Sequence, residues 1–500
     1  LVSVTRVSAR KSWMVLGLSR LSWLGYERCC VNLGSEVQPD VAAIRIRAMG
    51  WAMNRAMGGG LLMVPILRPV GCQSNNASLP SPGVCPGGEG LDPRECAEAV
   101  ARSFQGQGID PRIPEAIPGF DAPFYQSGLA GYSDAAMRII ARRHGCPACV
   151  TEALLDRTLL AGGRGFAKAD LGAIADNVPG SDEDHPLIGQ IMGSEPAEMA
   201  AAALKMIEQG RRRDREYRDL AYEDERVHAV RSAPVRAEEA ARASAPGPAG
   251  DVDSFSAIDV NLACPVKKIA KKSRGGHWLA EPAGAIAILE AVRGAVPVEV
   301  PVTVKMRRSF DDSAEMVENF WKIFDAAYEI GCAWVTVHGR TVAQKYVGPS
   351  RWDLLRDICR ARPDRVIFGS GDIWTAGDIF RMMAYTGVSG VSVARGCIGN
   401  PWIFRQARDL MAGREPKAPT MAEQRAVLME HFELALGWNR VVLRHPDAQT
   451  GKMMRKFGIR FAQHHPDSEA VRRRMIAVGS LDDWRAVLED LYDKGDDDVR

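Results

Sequence analysis

The sequence predicts a parallel (β/α)8 barrel followed by a small all-helical C-terminal domain. Short apolar runs alternate with amphipathic segments from Phe124 onward, and the alternation repeats eight times up to Ala394. Strand-like runs stop after Pro401, and the last part of the chain shows helical patterns only. We therefore assign residues 120–402 to the barrel and residues 403–500 to the helical domain.

Eight apolar runs are the expected barrel strands. Each is short enough for a buried strand and is followed by apolar residues at helical spacing. The strand candidates are 124–130, 148–154, 187–192, 257–262, 302–306, 334–338, 366–371 and 390–394. The helix candidates include 133–144, 197–209, 282–295, 313–330, 352–361 and 375–385.

Two segments do not fit this pattern. Residues 1–112 show no sustained period of 3.6 or 2 and contain Gly- and Pro-rich stretches, so we expect a disordered or spurious extension. Residues 211–253 carry dense charge of both signs. Structureless segments of this length are uncommon inside compact domains, so we expect this one to be an exposed, mobile insertion in the barrel. In the helical domain, residues 440–474 contain nine Lys or Arg and three Asp or Glu, a local basic excess.

Composition excludes several classes of protein. An apolar fraction of 46% and a charged fraction of 25% are typical of soluble globular proteins, and a net charge of +2 means that any basic surface must be local. The 11 cysteines lack the density of a disulfide scaffold, and the pair Cys146 and Cys149 has no second pair with which to bind zinc. No apolar run is long enough to span a membrane. We expect a cytoplasmic, monomeric protein without a metal.

Polar residues follow the predicted strands, at the barrel end where chemistry gathers in this fold. Cys264 follows the fourth strand, is fixed by Pro265 and lies next to Lys267 and Lys268, which bring positive charge to the thiol. Considered alone, Cys264 is equally compatible with a small buried residue before a turn. The other strand ends carry Gly128, Gln190, Asn261, Lys305, Arg307, His338, Arg340, Ser370, Asp372 and Arg395.

Glycine-bearing loops follow strands seven and eight, and each precedes a helix. Barrels of this class commonly bind phosphate there, because backbone N–H groups and a helix N-terminus face the anion. Lys305 and His338 would then point toward the barrel mouth, where a planar cofactor can lie. A cation beside a flavin pyrimidine ring would stabilise the negative charge of the reduced form.

The ordered motifs resemble those of the tRNA-dihydrouridine synthase family of FMN enzymes, over residues 120–500. The Cys-Pro-x-Lys-Lys and His-Gly-Arg-Thr motifs, in this order and spacing, make the resemblance specific. The matching motifs are Ala130-Gly131-Tyr132-Ser133-Asp134, Asn261-x-x-Cys264-Pro265-x-Lys267-Lys268, Val304-Lys305-x-Arg307, His338-Gly339-Arg340-Thr341, Gly371-Asp372 and Arg395-Gly396-x-x-Gly399-Asn400.

The resemblance implies that reduced FMN gives hydride to C6 of a uracil in tRNA, that Cys264 protonates C5, and that NADPH or NADH recharges the flavin. It also implies binding roles. FMN would be bound by Gly128, Leu129, Ala130, Gln190, Lys305, His338, Ser370, Gly371, Asp372, Ala394 and Arg395. The tRNA would be bound by Asn261, Lys267, Lys268, Arg307, Arg340, Arg455 and Lys456.

Three positions depart from the family pattern. The family usually has Pro at Gly128, Asn at Ser370 and Gly at Ala394, so we expect altered FMN affinity, most of all from Ser370, which cannot reproduce both hydrogen-bonding ends of an amide. Two alternatives remain open. One is a flavin barrel that acts on a free pyrimidine, as dihydroorotate dehydrogenase does, and the basic helical domain argues against it. The other is an RNA-binding barrel without catalysis, and the presence of Cys264, Lys305 and His338 argues against it.

Overall fold

The barrel is built from the short apolar runs that begin at Phe124. The computed structural model describes residues 92–161, 182–211, 255–266 and 275–493. Its strands are β1 (Phe124–Gln126), β2 (Cys149–Val150), β3 (Leu154–Leu155), β4 (Leu187–Met192), β5 (Ala257–Leu262), β6 (Val302–Arg307), β7 (Trp334–His338), β8 (Ile367–Ser370) and β9 (Gly390–Val393).

The sheet closes on itself. All described strand pairs are parallel, β1 pairs with both β2 and β9, and β2 also pairs with β4. The eight strands β1, β2 and β4 to β9 therefore form a closed parallel barrel, which confirms the predicted (β/α)8 fold. The predicted second strand, 148–154, is instead two short pieces, and β3 pairs with the carboxyl end of β4.

Helices surround the barrel and follow it in the chain. Several begin at a side-chain cap, as where Asp134, Ser313 and Thr375 each accept a hydrogen bond from a backbone N–H of the first turn. The described helices are α1 (Pro93–Gln107), α2 (Arg112–Ala116), α3 (Ala135–Arg143), α4 (Asp156–Ala161), α5 (Pro196–Arg211), α6 (Pro282–Ala295), α7 (Ala314–Glu329), α8 (Trp352–Ala361), α9 (Ala376–Thr386), α10 (Trp402–Met411), α11 (Met421–Val442), α12 (Pro446–Phe461), α13 (Ser468–Ala477) and α14 (Leu481–Tyr492).

Helix α1 corrects the prediction for residues 1–112. Asp92 caps it in a reciprocal pair with Glu95, and its apolar face is buried against α9 and α10. Val100 and Phe104 are part of this face, and the Phe104 ring lies 6.4 Å from the Phe380 ring. Residues 93–107 are thus a packed element of the fold, because their apolar side chains recur at helical spacing. Residues 1–91 lie outside the described residues, as does the predicted insertion from residue 212 onward.

The amino end of the barrel is filled by aromatic side chains. The Phe120 ring, just before β1, lies 5.9 Å from Tyr125, 6.1 Å from Trp334 and 5.9 Å from Phe368. These four residues belong to one buried cluster together with Ile113 of α2. Chemistry is therefore confined to the opposite end, where the strands terminate.

Strand register places polar side chains together at that carboxyl end. Across β5 and β6, Asp259 pairs with Thr303 and Asn261 pairs with Lys305. Side chains alternate between the two faces of a strand, so these four residues lie on the same face of the sheet. Apolar neighbours on the other face, such as Val304, pack against the surrounding helices.

The C-terminal part of the chain is helical, as predicted. Helix α10 packs against α1 and α9 and completes the helical layer around the barrel. Helices α11 to α14 follow, and their buried side chains, which include Phe432, Phe457 and Trp484, belong to the same hydrophobic core cluster as those of the barrel. The Trp484 indole N–H donates to the Leu428 carbonyl over 3.1 Å. Among the described residues, no helix is long and apolar enough to cross a membrane.

Candidate active site

The carboxyl ends of the strands surround one cavity that collects the residues selected from the sequence. Every residue predicted to bind FMN lines it, and so do Cys264, Asn261 and Arg307. The complete lining is Ser127, Gly128, Leu129, Ala130, Ala153, Gln190, Met192, Asn261, Ala263, Cys264, Pro265, Lys305, Arg307, His338, Tyr346, Ser370, Gly371, Asp372, Ile373, Trp374, Ala394 and Arg395.

Asn261 holds the turn that presents Cys264. Its side-chain oxygen accepts hydrogen bonds from the backbone N–H groups of Ala263 (2.9 Å) and Cys264 (3.1 Å). Burial raises the pKa of the Cys264 thiol, and the nearby charges of Arg307 and Lys305 lower it less strongly. The thiol is therefore protonated at neutral pH and carries a proton that it can donate.

Beneath this turn lies a buried polar network. The Asn261 amide donates to Gln190 Oε1 over 2.8 Å, and Gln190 Nε2 donates to Asp259 Oδ2 over 2.8 Å. The Thr303 hydroxyl donates to the other Asp259 oxygen over 2.6 Å. Burial raises the pKa of Asp259 to about 6, although the hydrogen bonds from Thr303 and Gln190 and the charge of Lys305 oppose the rise. Asp259 is thus ionised at neutral pH and accepts both hydrogen bonds.

The cavity has a positive electrostatic character. Burial lowers the pKa of Lys305 to about 8, with a further contribution from Arg307, so its ammonium group still carries charge at pH 7. Arg307 is buried and donates to the backbone carbonyls of Ala263 (2.9 Å), Thr341 (2.7 Å) and Lys345 (2.7 Å). These cations suit a ligand that is anionic or becomes so during reaction.

His338 is a neutral acceptor facing these cations. Burial and the charge of Lys305 hold its pKa well below the usual range. Its Nδ1 lies 3.1 Å from the Ser370 carbonyl, and because a carbonyl only accepts, Nδ1 carries the proton. The buried Nε2 has no hydrogen-bond partner among the described residues. It is therefore available to accept a hydrogen bond from a ligand.

The backbone of the loop after β8 lies so close to Ser350 and His338 that it requires a glycine. Gly371 has a φ of 115°, and a Cβ there would lie 2.4 Å from Ser350 Oγ and 2.8 Å from the His338 ring. The next residue, Asp372, accepts from the Ser350 backbone N–H over 2.7 Å. Ser370 directs its hydroxyl to the Ser392 carbonyl over 3.2 Å. The hydroxyl that replaces the family's asparagine is thus used within the barrel.

Gly128, the first departure from the family pattern, has a structural reason. A Cβ at this position would lie 2.4 Å from the Thr151 carbonyl oxygen and 3.1 Å from Gln190 Oε1. A proline would therefore force the loop after β1 away from β2. The remaining departure, Ala394, begins the turn that leads to Arg395.

Arg340 was predicted to bind tRNA, but its side chain is buried. It is only 3% exposed, and its Nη2 donates to both Asp372 oxygens, over 2.7 and 2.8 Å. It also donates to the Gly348 carbonyl over 2.6 Å. Arg340 is therefore positioned to fix Asp372 and the surrounding loops, because burial removes it from the surface that an RNA would reach.

The predicted tRNA residues of the helical part also have partners within the protein. Arg455 donates to the Val478 carbonyl, and Lys456 donates to the Gly131 carbonyl in the loop after β1. The Lys456 ammonium lies 5.2 Å from the centre of the Tyr132 ring. Lys267 and Lys268 lie outside the described residues.

The sequence alone missed several residues of this region, among them Asp259, Thr303, Tyr346 and Trp374. Asp259 and Thr303 were detectable, because they alternate with Asn261 and Lys305 along their strands. Tyr346 and Trp374 lie in loops with no periodic signal. They are 55% and 49% exposed, and the Arg395 guanidinium lies over both rings, 5.2 and 4.9 Å from the two centres.

Comparison with known proteins defines the family. The family model described as dihydrouridine synthase (Dus) matches residues 215–484, and the chain belongs to this family. It is 31% identical over 238 residues to a probable tRNA-dihydrouridine synthase of Mycobacterium tuberculosis (strain ATCC 25618 / H37Rv), covering 47% of this chain and 58% of the relative. It is 32% identical over 245 residues to that of Treponema pallidum (strain Nichols), covering 47% and 68%.

Each match covers only part of this chain and only part of the relative. The probable tRNA-dihydrouridine synthase 1 of Synechocystis sp. (strain ATCC 27184 / PCC 6803 / Kazusa) is 32% identical over 235 residues, which cover 46% of this chain and 62% of the relative. A solved structure of morphinone reductase in complex with tetrahydroNAD is 11% identical, with a TM-score of 0.35 over 61% of this chain and 89% of that chain.

Proposed function

We propose that this protein is a flavin-dependent tRNA-dihydrouridine synthase, which reduces the C5–C6 double bond of uracil in tRNA. The observation that carries the proposal is the position of Cys264. Asn261 holds the backbone turn that carries the protonated Cys264 thiol, and this thiol lines a cationic barrel cavity in a chain of the dihydrouridine synthase family. A thiol in this state is an acid suited to protonating carbon.

The cavity residues fit FMN. A flavin ring edge carries both carbonyl acceptors and N–H donors. The cavity offers the ammonium group of Lys305 and Nε2 of His338, which has no hydrogen-bond partner within the described part of the chain. The glycine-bearing turns after β8 and β9 would hold the phosphate, with Arg395 beside them. When bound, FMN supplies the hydride for C6, and we propose NADPH as the source of its electrons.

The chain's own residues supply the remaining chemistry. Cys264 would give its proton to C5 of the uracil, and water would restore that proton after product leaves. Lys305 would stabilise negative charge on the cofactor, because it is buried and cationic at neutral pH. His338, neutral and with a fixed tautomer, would accept a hydrogen bond without adding charge.

The rim of the cavity is suited to an unpaired nucleotide. A target base must leave its stack to reach the barrel interior. The exposed rings of Tyr346 and Trp374, both in contact with Arg395, combine aromatic faces with positive charge, as surfaces that bind single-stranded nucleic acid do. Arg307 lines the cavity 5.5 Å from the centre of the Tyr346 ring, and because it is only 2% exposed it would act on a base inside the cavity. The helices α11 to α14 would extend this surface.

A spectroscopic and a substrate test together examine the proposal. The purified full-length protein should show a flavin spectrum, and the released cofactor should be FMN by mass spectrometry. With NADPH it should reduce uridine in tRNA from a strain that lacks dihydrouridine, but not free uridine or orotate. Colourless protein that cannot be reconstituted with FMN contradicts the flavin assignment, and turnover of the free pyrimidines alone contradicts the RNA substrate.

A further inference from the structure

Asp259 lies on β5, two residues before Asn261 and below the cavity floor. It does not line the cavity, and it is only 5% exposed. Its carboxylate accepts from Thr303 Oγ1 and from Gln190 Nε2. A buried carboxylate requires such partners, because removing charge from water is costly.

The orientations of the Asn261 and Gln190 amides follow from the backbone donors of the Cys264 turn. The N–H groups of Ala263 and Cys264 can only donate, so the Asn261 oxygen must face them. The Asn261 amide nitrogen then faces Gln190, whose oxygen must accept. Gln190 Nε2 is consequently turned toward Asp259, which has to be an acceptor.

We infer that Asp259 is a positioning residue: it holds the Gln190 amide in the orientation that Asn261 requires and, through Asn261, supports the placement of Cys264. Gln190 also lines the cavity, so loss of this anchor would change both the cavity wall and the support of the Cys264 turn. The catalytic consequence of the inference rests on the proposed function, but the positioning itself can be measured without uracil reduction.

Two isosteric substitutions separate orientation from charge. In Asp259→Asn, the side-chain oxygen can still accept from Gln190, while its amide donates to the Thr303 hydroxyl, which can turn to accept. In Asp259→Leu, no acceptor remains and Gln190 Nε2 is left without a partner. If the carboxylate acts by orienting Gln190, the asparagine variant should therefore behave much more like the parent protein.

The readouts are the Kd for FMN, followed by flavin fluorescence, and the alkylation rate of Cys264 at saturating FMN, followed by mass spectrometry of its peptide. Asp259→Leu should weaken FMN binding by roughly tenfold, the usual effect of one unsatisfied buried polar group, and should change the Cys264 alkylation rate severalfold. Asp259→Asn should stay within about threefold of the parent protein in both.

Two results would overturn the inference. One is that Asp259→Leu matches the parent protein in both readouts, and the other is that Asp259→Asn is as impaired as Asp259→Leu, which would assign the role to charge. If Asp259→Leu does not fold, Gln190→Met breaks the same chain of hydrogen bonds, and unchanged Cys264 alkylation in that variant would also overturn the inference. None of these outcomes depends on turnover of tRNA.

Discussion

Lys305 combines burial and positive charge in the candidate cofactor site. Its pKa is lowered to about 8, mainly by burial and then by Arg307, and is raised in part by the Asp259 charge. The ammonium form predominates below pH 8 and is lost as the pH rises through that value. The cavity therefore holds a cation whose charge can change within an accessible range of pH.

We expect the midpoint potential of the bound flavin to fall more steeply with pH above about pH 8 than below it. Above this pH, Lys305 is neutral before reduction and must take up a proton when negative charge forms beside it. In the Lys305→Met variant, the slope of the potential against pH should no longer change near pH 8. Lys322→Met, at an exposed ion pair on α7, should keep this change of slope. The measurement is a redox titration followed by flavin absorbance. If the slope still changes near pH 8 in Lys305→Met, the change does not come from Lys305.

Trp374 should contribute stacking energy to RNA binding. Trp374→Ala is expected to weaken tRNA binding by roughly tenfold without changing its salt dependence, because stacking releases no counterions. Tyr385→Ala is the matched control, since Tyr385 is 43% exposed and also lies over an arginine, but outside the cavity. Binding titrations at several salt concentrations test this. Equal losses in the two variants would exclude a specific role for the rim.

Helix α1 belongs to the folded unit of the barrel, and its stability contribution can be tested directly. Phe104→Ala should lower the free energy of unfolding by roughly 3 kcal/mol, because it removes a buried ring between α1 and α9. Gln105→Ala, on the exposed side of the same helix, should leave it nearly unchanged. Urea unfolding provides both values. If Phe104→Ala and the parent protein unfold at the same urea concentration, residues 93–107 do not contribute to the stability of the barrel.

Elements with strong periodicity were predictable from the sequence. The barrel strands and helices such as α7 follow repeated apolar patterns, and most site residues follow strand ends. Helix α1 was missed because Pro- and Gly-rich sequence precedes it. The burial of Arg340 was also missed, because it depends on where the loop with Asp372 lies in space. Local patterns thus predict elements, whereas contacts between distant loops require the fold.

The helices α11 to α14 contact the barrel near the loop that follows β1. Helix α11 packs against α3, and the Phe457 ring lies 5.5 Å from the Tyr132 ring in an edge-to-face arrangement. Lys456 donates to Gly131, which follows the cavity residues after β1. Contacts at the helical part can therefore be transmitted to the loop that is expected to lie beneath the flavin.

Lys456→Met should weaken FMN binding severalfold, because it removes the hydrogen bond that holds the loop after β1. Lys452→Met is the control, since Lys452 is exposed on the same helix and its loss removes the same charge. The Kd for FMN, measured by fluorescence without tRNA, separates the two variants. A loss of tRNA affinity with unchanged FMN binding in Lys456→Met would instead favour direct contact with RNA.

The central claim is that Cys264 donates the proton in uracil reduction, and a single-turnover assay tests it most directly. Protein with prereduced flavin is mixed with tRNA that lacks dihydrouridine, and the product is quantified by mass spectrometry. Cys264→Ala should bind FMN and accept electrons from NADPH normally, but form dihydrouridine at least about 100-fold more slowly, as expected for loss of a general acid. Dihydrouridine formation by Cys264→Ala at the rate of the parent protein would contradict the account.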